Sequence, residues 1–219
     1  MIKTVVQFIL LCHLCGEKEM DMEKLSTEQK IIAAAHTLFS RKGYAATRTR
    51  DIAEEAGINP ALLNYHFGSK EKLFKIIARE KFGMLIGTIV PAFADQNGPV
   101  EDKIRLLVNS YTDLLIENEE LPLFVLNESS VNKEFFTDML QDVRKISQPV
   151  IEEQLQKEGT TISFPDILVN TISLIIFPFV AKPLLISSGL IEEDNFKDFV
   201  INRKDKITGW IMKTIKKQE

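Results

Sequence analysis

A chain of 219 residues, 45% hydrophobic and 26% charged, has the composition of a folded globular protein with room for one or two domains, and it excludes intrinsic disorder. A formal net charge of −4 excludes a uniformly basic nucleic-acid binder, yet it hides an asymmetry. From Asp21 to Lys81 there are eleven Lys/Arg against eight Asp/Glu, and from Phe82 to the end fourteen against twenty-one, so a modestly basic segment precedes a larger acidic body.

The chain opens with MIKTVVQFILLCHLC, where Lys3 precedes an apolar run from Val5 to Leu14. This outline resembles a signal peptide, but no small-residue cleavage site follows and the run is too short to span a bilayer as a helix. Translation from Met20 or Met22 would make it an upstream piece, and we expect residues 1–22 to be an unessential apolar extension. Cys12 and Cys15 enclose His13, but no second cysteine or histidine pair completes a metal or redox site. The expectation is no metal and no cofactor.

From Ser26 onward the punctuation is helical. Ser26 and Gln29 form a capping-box pattern, Ile31, Ala35 and Leu38 recur at helical spacing, and Gly43 supplies a stop. TRTRDIAEEAG reads as a shorter helix opened by Thr47 and closed by Gly57, with Ile52, Ala53 and Ala56 inward. In INPALLNYHFG, Asn59 is the cap, Pro60 the first helical residue and Gly68 the end. Ser69 caps a longer helix. Past the DQNGP turn, helices are predicted over about 100–118, 120–129, 133–158, 165–187 and 194–217. No stretch shows strand alternation, and the fold class is all-α.

Three small helices with a short turn at Gly57–Asn59 make a helix-turn-helix pattern. Ala53 and Ala56 permit close approach, Gly57 can take positive φ, and Leu63 and Phe67 face the core. Pro60, Ala61, Leu62, Asn64 and Tyr65 are left outside. His66 has no ligand partner at a metal spacing, because His13 and His36 are the only other histidines, and no nucleophile or orienting carboxylate beside it. It reads as an ordinary structural or surface histidine. Leu62 suits a thymine methyl, Asn64 an adenine edge, and Tyr65 and Lys70 phosphate oxygens. The short helix reads as a DNA recognition helix.

The run AAHTLFSRKGYAATRTRDIAEEAGINPALLNYHFGSKEKLF closely resembles the DNA-binding domain of tetracycline-repressor-type (TetR family) transcriptional regulators. The resemblance implies an all-helical homodimer, with a three-helix helix-turn-helix domain at 23–72 and a larger helical effector-binding and dimerisation domain at 73–219. It carries over Thr49 and Lys70 as phosphate contacts, Arg50 as a base contact, and Asn59, Ala61, Leu62, Asn64 and Tyr65 as reading positions. Asn64 stands where the family most often has tyrosine, and Leu62 where it often has threonine, so the operator sequence does not follow. Arg48 is an additional basic residue there, a further phosphate contact or a solvated charge.

The acidic body is rich in Phe, Leu, Ile and Val at helical spacing. By resemblance it holds a cavity for a small apolar or amphipathic effector, with Tyr111, Phe124, Met139 and Phe177 as candidate lining. Pro178 interrupts an apolar helix and should kink it. Lys182 could pair with an acidic ligand, pair with a carboxylate across an interface, or snorkel to solvent, the last being the expectation. The last two long helices would form the dimer interface as a four-helix bundle. An all-α enzyme is the alternative, but no nucleophile–base pair, phosphate loop or metal cluster supports it. A membrane protein anchored by the leader is the third reading. The expectation is a cytoplasmic regulator, most often a repressor, released from a palindromic operator and not an enzyme.

Overall fold

The computed structural model describes residues 26–94, 98–131 and 133–215. The leader, with its Cys12, His13 and Cys15, lies outside the described residues. The described elements are helical: α1 (Thr27–Ala46), α2 (Thr49–Glu55), α3 (Pro60–Phe67), α4 (Lys70–Ala94), α5 (Val100–Glu117), α6 (Leu121–Val131), α7 (Lys133–Lys157), α8 (Phe164–Val180), α9 (Lys182–Ser187), a 3₁₀ turn at Glu193–Asn195, α10 (Phe196–Ile201) and α11 (Lys204–Ile215). Contacts divide the chain into two units. The first runs to Met84 and takes in Phe124–Ser130 of α6; the second holds Leu85–Leu123 and Val131 onward.

The first unit packs α1 on α2 and α3, and α2 on α3. Its core is Ile31, Ala35, Leu38 and Phe39 of α1, Ile52 and Ala53 of α2, Leu63 and Phe67 of α3, and Leu73, Phe74, Ile77 and Ala78 of α4. These are the apolar positions the helical spacing selects. The α4 members explain why this unit extends to Met84 rather than stopping at residue 72: the first two turns of that helix are part of the small core. Phe39 and Phe74 meet edge-to-face at 5.4 Å between ring centres, a geometry that adds to the area they bury.

The helix starts follow the sequence closely, with one exception. Ser26 Oγ accepts from the Gln29 N–H at 3.2 Å while Gln29 Oε1 accepts from the Ser26 N–H at 2.9 Å. Asn59 Oδ1 accepts from the Ala61 N–H at 2.9 Å, and Ser69 Oγ from the Lys72 N–H at 3.2 Å. The exception is Thr47, which does not open α2. That helix begins at Thr49, with the Asp51 carboxyl accepting from the Arg48 N–H at 3.2 Å. Thr47 is buried instead, its hydroxyl within hydrogen-bond reach of the Gly43 carbonyl at 2.8 Å and the Leu38 carbonyl at 3.3 Å.

In the second unit α11 packs on α5 and α8, and α5 on α8 and α7. Ile104, Leu107, Val108, Tyr111 and Leu115 of α5 meet Ile167, Thr171, Ile175 and Phe179 of α8 and Ile207, Ile211, Met212 and Ile215 of α11 in the core. Burial pushes the Tyr111 phenol up from its usual range.

The last two predicted helices are each broken. The 165–187 stretch divides at Ala181 into α8 and α9, and 194–217 divides at Asn202–Arg203 into α10 and α11. Pro178 lies inside α8, and the break comes three residues later, just ahead of Pro183, which has no N–H to continue the helix and is tolerated in the first turn of a new one. Pro178 still has its effect: lacking an N–H, it leaves the Leu174 carbonyl without an intrahelical donor. Arg203, in the second break, reaches that carbonyl with Nη2 at 3.4 Å. Its guanidinium lies 5.5 Å from the Phe199 ring centre and 5.3 Å from that of Trp210. Lys182 does not snorkel. Its ammonium pairs with Glu119 at 2.5 Å and lies 4.6 Å from the Phe196 ring centre, because α9 starts beside both.

Candidate nucleic-acid interface

The interface is built from the start of α2 and the outer face of α3. Eight residues make little more than two turns of α3, so its faces separate cleanly: Leu63 and Phe67, four apart, point inward, while Pro60, Ala61, Leu62, Asn64, Tyr65 and His66 are exposed. Tyr65 is 82% exposed, with the His66 ring edge-on at 5.2 Å between centres. A tyrosine so exposed on a helix held by two buried apolar anchors gains nothing from the core. Its hydroxyl and ring are available to an outside partner.

The turn before α3 requires Gly57 at φ +66°, and Gly68 closes the helix at φ +75°. Asn59 serves as the cap, so its side-chain oxygen is engaged with the Ala61 N–H and its amide N–H₂ group is the part that faces outward chemistry. Arg48 and Arg50 are exposed and Thr49 is half-buried, together forming the N-terminal edge of α2. Two guanidinium groups there add to the positive end of the helix dipole.

Lys70 has a different environment from an open surface lysine. Its ammonium donates to the Tyr44 carbonyl at 2.9 Å and the Thr47 carbonyl at 2.8 Å, and it lies 4.0 Å from the Tyr44 ring centre. Two of its three protons hold the segment that leads into α2, which leaves one for a phosphate oxygen. His36 and Glu80, which sequence reasoning missed as a pair, join α1 to α4 at 3.1 Å. The hydrogen bond from His36 holds the Glu80 carboxyl below the usual carboxylate range, with burial opposing. Nothing in the local pattern marks two residues 44 positions apart as partners.

The residues expected to line an effector cavity fall in both units. Tyr111 is in the core of the second unit, and Phe124 belongs to the first, its ring 6.1 Å from that of Phe74. Phe177 is 62% exposed on the outer face of α8, since Ile175 and Phe179 take the inward positions. The side chain of Met139 lies outside those described. A surface hollow of about 500 Å³ in the second unit is formed by other residues, among them Leu190, Ile191, Asn195, Asp198 and Phe199. Among the described residues no cluster of three His, Cys, Asp or Glu could hold a metal ion, and no helix is long and apolar enough to cross a membrane.

Residues 31–77 match the family model described as bacterial regulatory proteins, tetR family. The chain is 27% identical over 194 residues to the "probable HTH-type transcriptional regulator" YttP of Bacillus subtilis, covering 86% of this chain and 93% of that one. Among solved structures, a tetR-family regulatory protein from Rhodococcus RHA1 superposes with a TM-score of 0.62 at 20% identity, over 90% of this chain and 100% of its own. FadR of Bacillus subtilis in complex with stearoyl-CoA gives a TM-score of 0.61 at 14% identity, over 85% and 98%. The two structures share the fold with this chain, and the family match falls on the segment that carries α2 and α3.

Proposed function

We propose that this chain, whose residues 31–77 match the tetR family of bacterial regulatory proteins, is a transcriptional regulator of that family: a cytoplasmic repressor which leaves a palindromic operator when a small apolar or amphipathic effector binds. The observation that carries the DNA part of this reading is the outward set Ala61, Leu62, Asn64 and Tyr65 on a helix anchored by Leu63 and Phe67. In this reading α3 enters the major groove. Arg50 offers paired donors to guanine, Asn64 a donor and an acceptor to adenine, and Leu62 an apolar contact to a thymine methyl. Arg48, Thr49, Tyr65 and the remaining proton of Lys70 go to phosphates, which fix register without reading sequence.

A homodimer through α8 to α11 is supported by an apolar surface in the second unit. Val169 and Phe177 are exposed two turns apart on α8, Leu184 is 66% exposed on α9, and Trp210 is partly exposed on α11. To read successive major grooves, the two copies of α3 in such a dimer must stand about 34–36 Å apart, one turn of DNA. An effector that prefers another separation weakens DNA binding by the ratio of its affinities for the two states. The chemistry of the effector is inferred from the apolar body and from the fold shared with FadR, whose partner stearoyl-CoA is itself amphipathic.

The deciding experiment is selection from a random duplex pool with the purified full chain at a stated salt concentration. Enrichment of inverted half-sites about one helical turn apart, or a small multiple, is expected. Against that duplex Arg50→Ala should cost about 1–3 kcal/mol and relax preference at particular base pairs, whereas Tyr65→Phe should weaken all sequences alike and leave the salt dependence unchanged, because a neutral hydroxyl releases no counterion. No enriched duplex from a dimeric, folded preparation, before and after refolding to strip bound effector, would overturn the reading.

A further inference from the structure

The interruption of α1 creates a problem that the surrounding residues solve from far away in sequence. Gly43 stands at φ +73°, ψ 170°, a region essentially reserved for glycine. That rotation turns the Tyr44 N–H away from the Ser40 carbonyl, its acceptor in a continuous helix. Glu128 of α6, in the same contact unit and 4% exposed, accepts from it with Oε1 at 3.0 Å. The same oxygen would lie 3.7 Å from a Cβ added at Gly43, so the carboxyl group is seated directly on the bend. On the other side of the Tyr44 residue, its carbonyl accepts from Lys70. Three residues on, Thr47 is fixed through its hydroxyl and its carbonyl. Arg48, Thr49 and Arg50 follow at once.

We propose that Glu128 is a positioning residue for DNA contact: by accepting from the Tyr44 N–H, it holds the Gly43–Thr47 turn in the form that sets Arg48, Thr49 and Arg50 at the head of α2. The proposal rests on the reading of those three residues as DNA contacts. Its physical content is that a chain lacking this acceptor leaves a half-buried N–H unsatisfied and lets the turn sample other conformations. DNA binding would then have to restore the turn.

The test uses the full chain, with affinity measured on the duplex that the wild-type protein enriches from the random pool and with amide hydrogen exchange measured without DNA. Glu128→Leu removes the acceptor; Glu128→Gln keeps it. Expected for Glu128→Leu is faster exchange at Tyr44 and a fall in affinity, each of about tenfold or more, with Leu63 and Phe67 amides little changed. Glu128→Gln should stay within about threefold of wild type in both readouts. Ile31→Val, a core change away from the bend, should lower stability without either effect. Wild-type behaviour of Glu128→Leu, or an equal loss in the glutamine variant, would overturn the proposal. Should Glu128→Leu not fold, Glu128→Asn withdraws the acceptor by one methylene and is read by the same two outcomes. Faster exchange with no duplex enriched even by the wild type would sink the DNA reading while leaving Glu128 as the clamp of this turn.

Discussion

Both units combine local caps with long-range ties, since Ser163 caps α8 in the second and His36–Glu80 and Tyr44–Glu128 span the first, but α1, α3 and α4 of the first rest most visibly on caps. In the first, three helix starts are completed within three residues: Ser26 with Gln29, Asn59 with Ala61, Ser69 with Lys72. In the second, ties span long stretches of chain. Lys182 reaches Glu119, Lys204 reaches Asp113 at 2.5 Å, and Arg105 reaches Asp205 at 3.0 Å. Local capping allows helices of seven and eight residues, too short to be stable alone, to be aimed at a common core of modest size. Long-range ties instead specify which helices of a larger bundle lie together. The exposed faces differ as well. The first unit presents arginine, asparagine and tyrosine from α2 and α3, the second valine, phenylalanine and leucine from α8 and α9.

This contrast can be broken at several points. Leu63→Ala should have the largest effect, about 2–5 kcal/mol, because Leu63 is fully buried where α3 meets its neighbours. In urea titration followed by circular dichroism, an early transition confined to the first unit is expected. Arg203→Leu should cost about 1–2 kcal/mol by orphaning the Leu174 carbonyl. In a Pro178→Ala background the same change should cost measurably less, since residue 178 then supplies the missing N–H; equal costs in both backgrounds would sink the pairing. Asn59→Ala should cost about 1 kcal/mol, and Asn59→Asp much less, if local capping sets the start of α3.

The smallest effect is one of pH. His36 depresses the Glu80 carboxyl, so the stability this pair contributes is present above the carboxyl's unfolded-state range and is lost as pH falls through its lowered folded value. The stability difference between wild type and Glu80→Gln should therefore be present at neutral pH and fade below about pH 4. A difference that grows on acidification would contradict the assignment.

What could be read from the sequence follows the same division. Caps, stops and inward spacing are encoded within a few residues, so α1, α3 and α4 and the core positions Leu63 and Phe67 were legible. Thr47 misled because a threonine before a helix can cap it or turn back to the preceding one. Only the bend at Gly43 shows that its hydroxyl lies within reach of Leu38 and Gly43. The breaks at Ala181 and Asn202–Arg203 were hidden by continuous apolar periodicity, and Pro183 was the signal that could have revealed the first. The exposure of Phe177 was not legible, because an aromatic residue in an apolar helix carries no mark of which side it faces. Its neighbours Ile175 and Phe179 already occupied the inward stripe.

Pro178 also bears on the order in which the chain is made. Synthesis delivers α8 with one carbonyl lacking its helical donor, and the residue that meets it, Arg203, lies 29 positions downstream of Leu174. Until that arginine has emerged and swung into place, water must satisfy the Leu174 oxygen, and the apolar helix around it cannot be fully dried. The second unit is thus completed late, from its C-terminal end. A nascent chain interrupted between Val180 and Arg203 would carry all of α8 and still be unable to close the core against it.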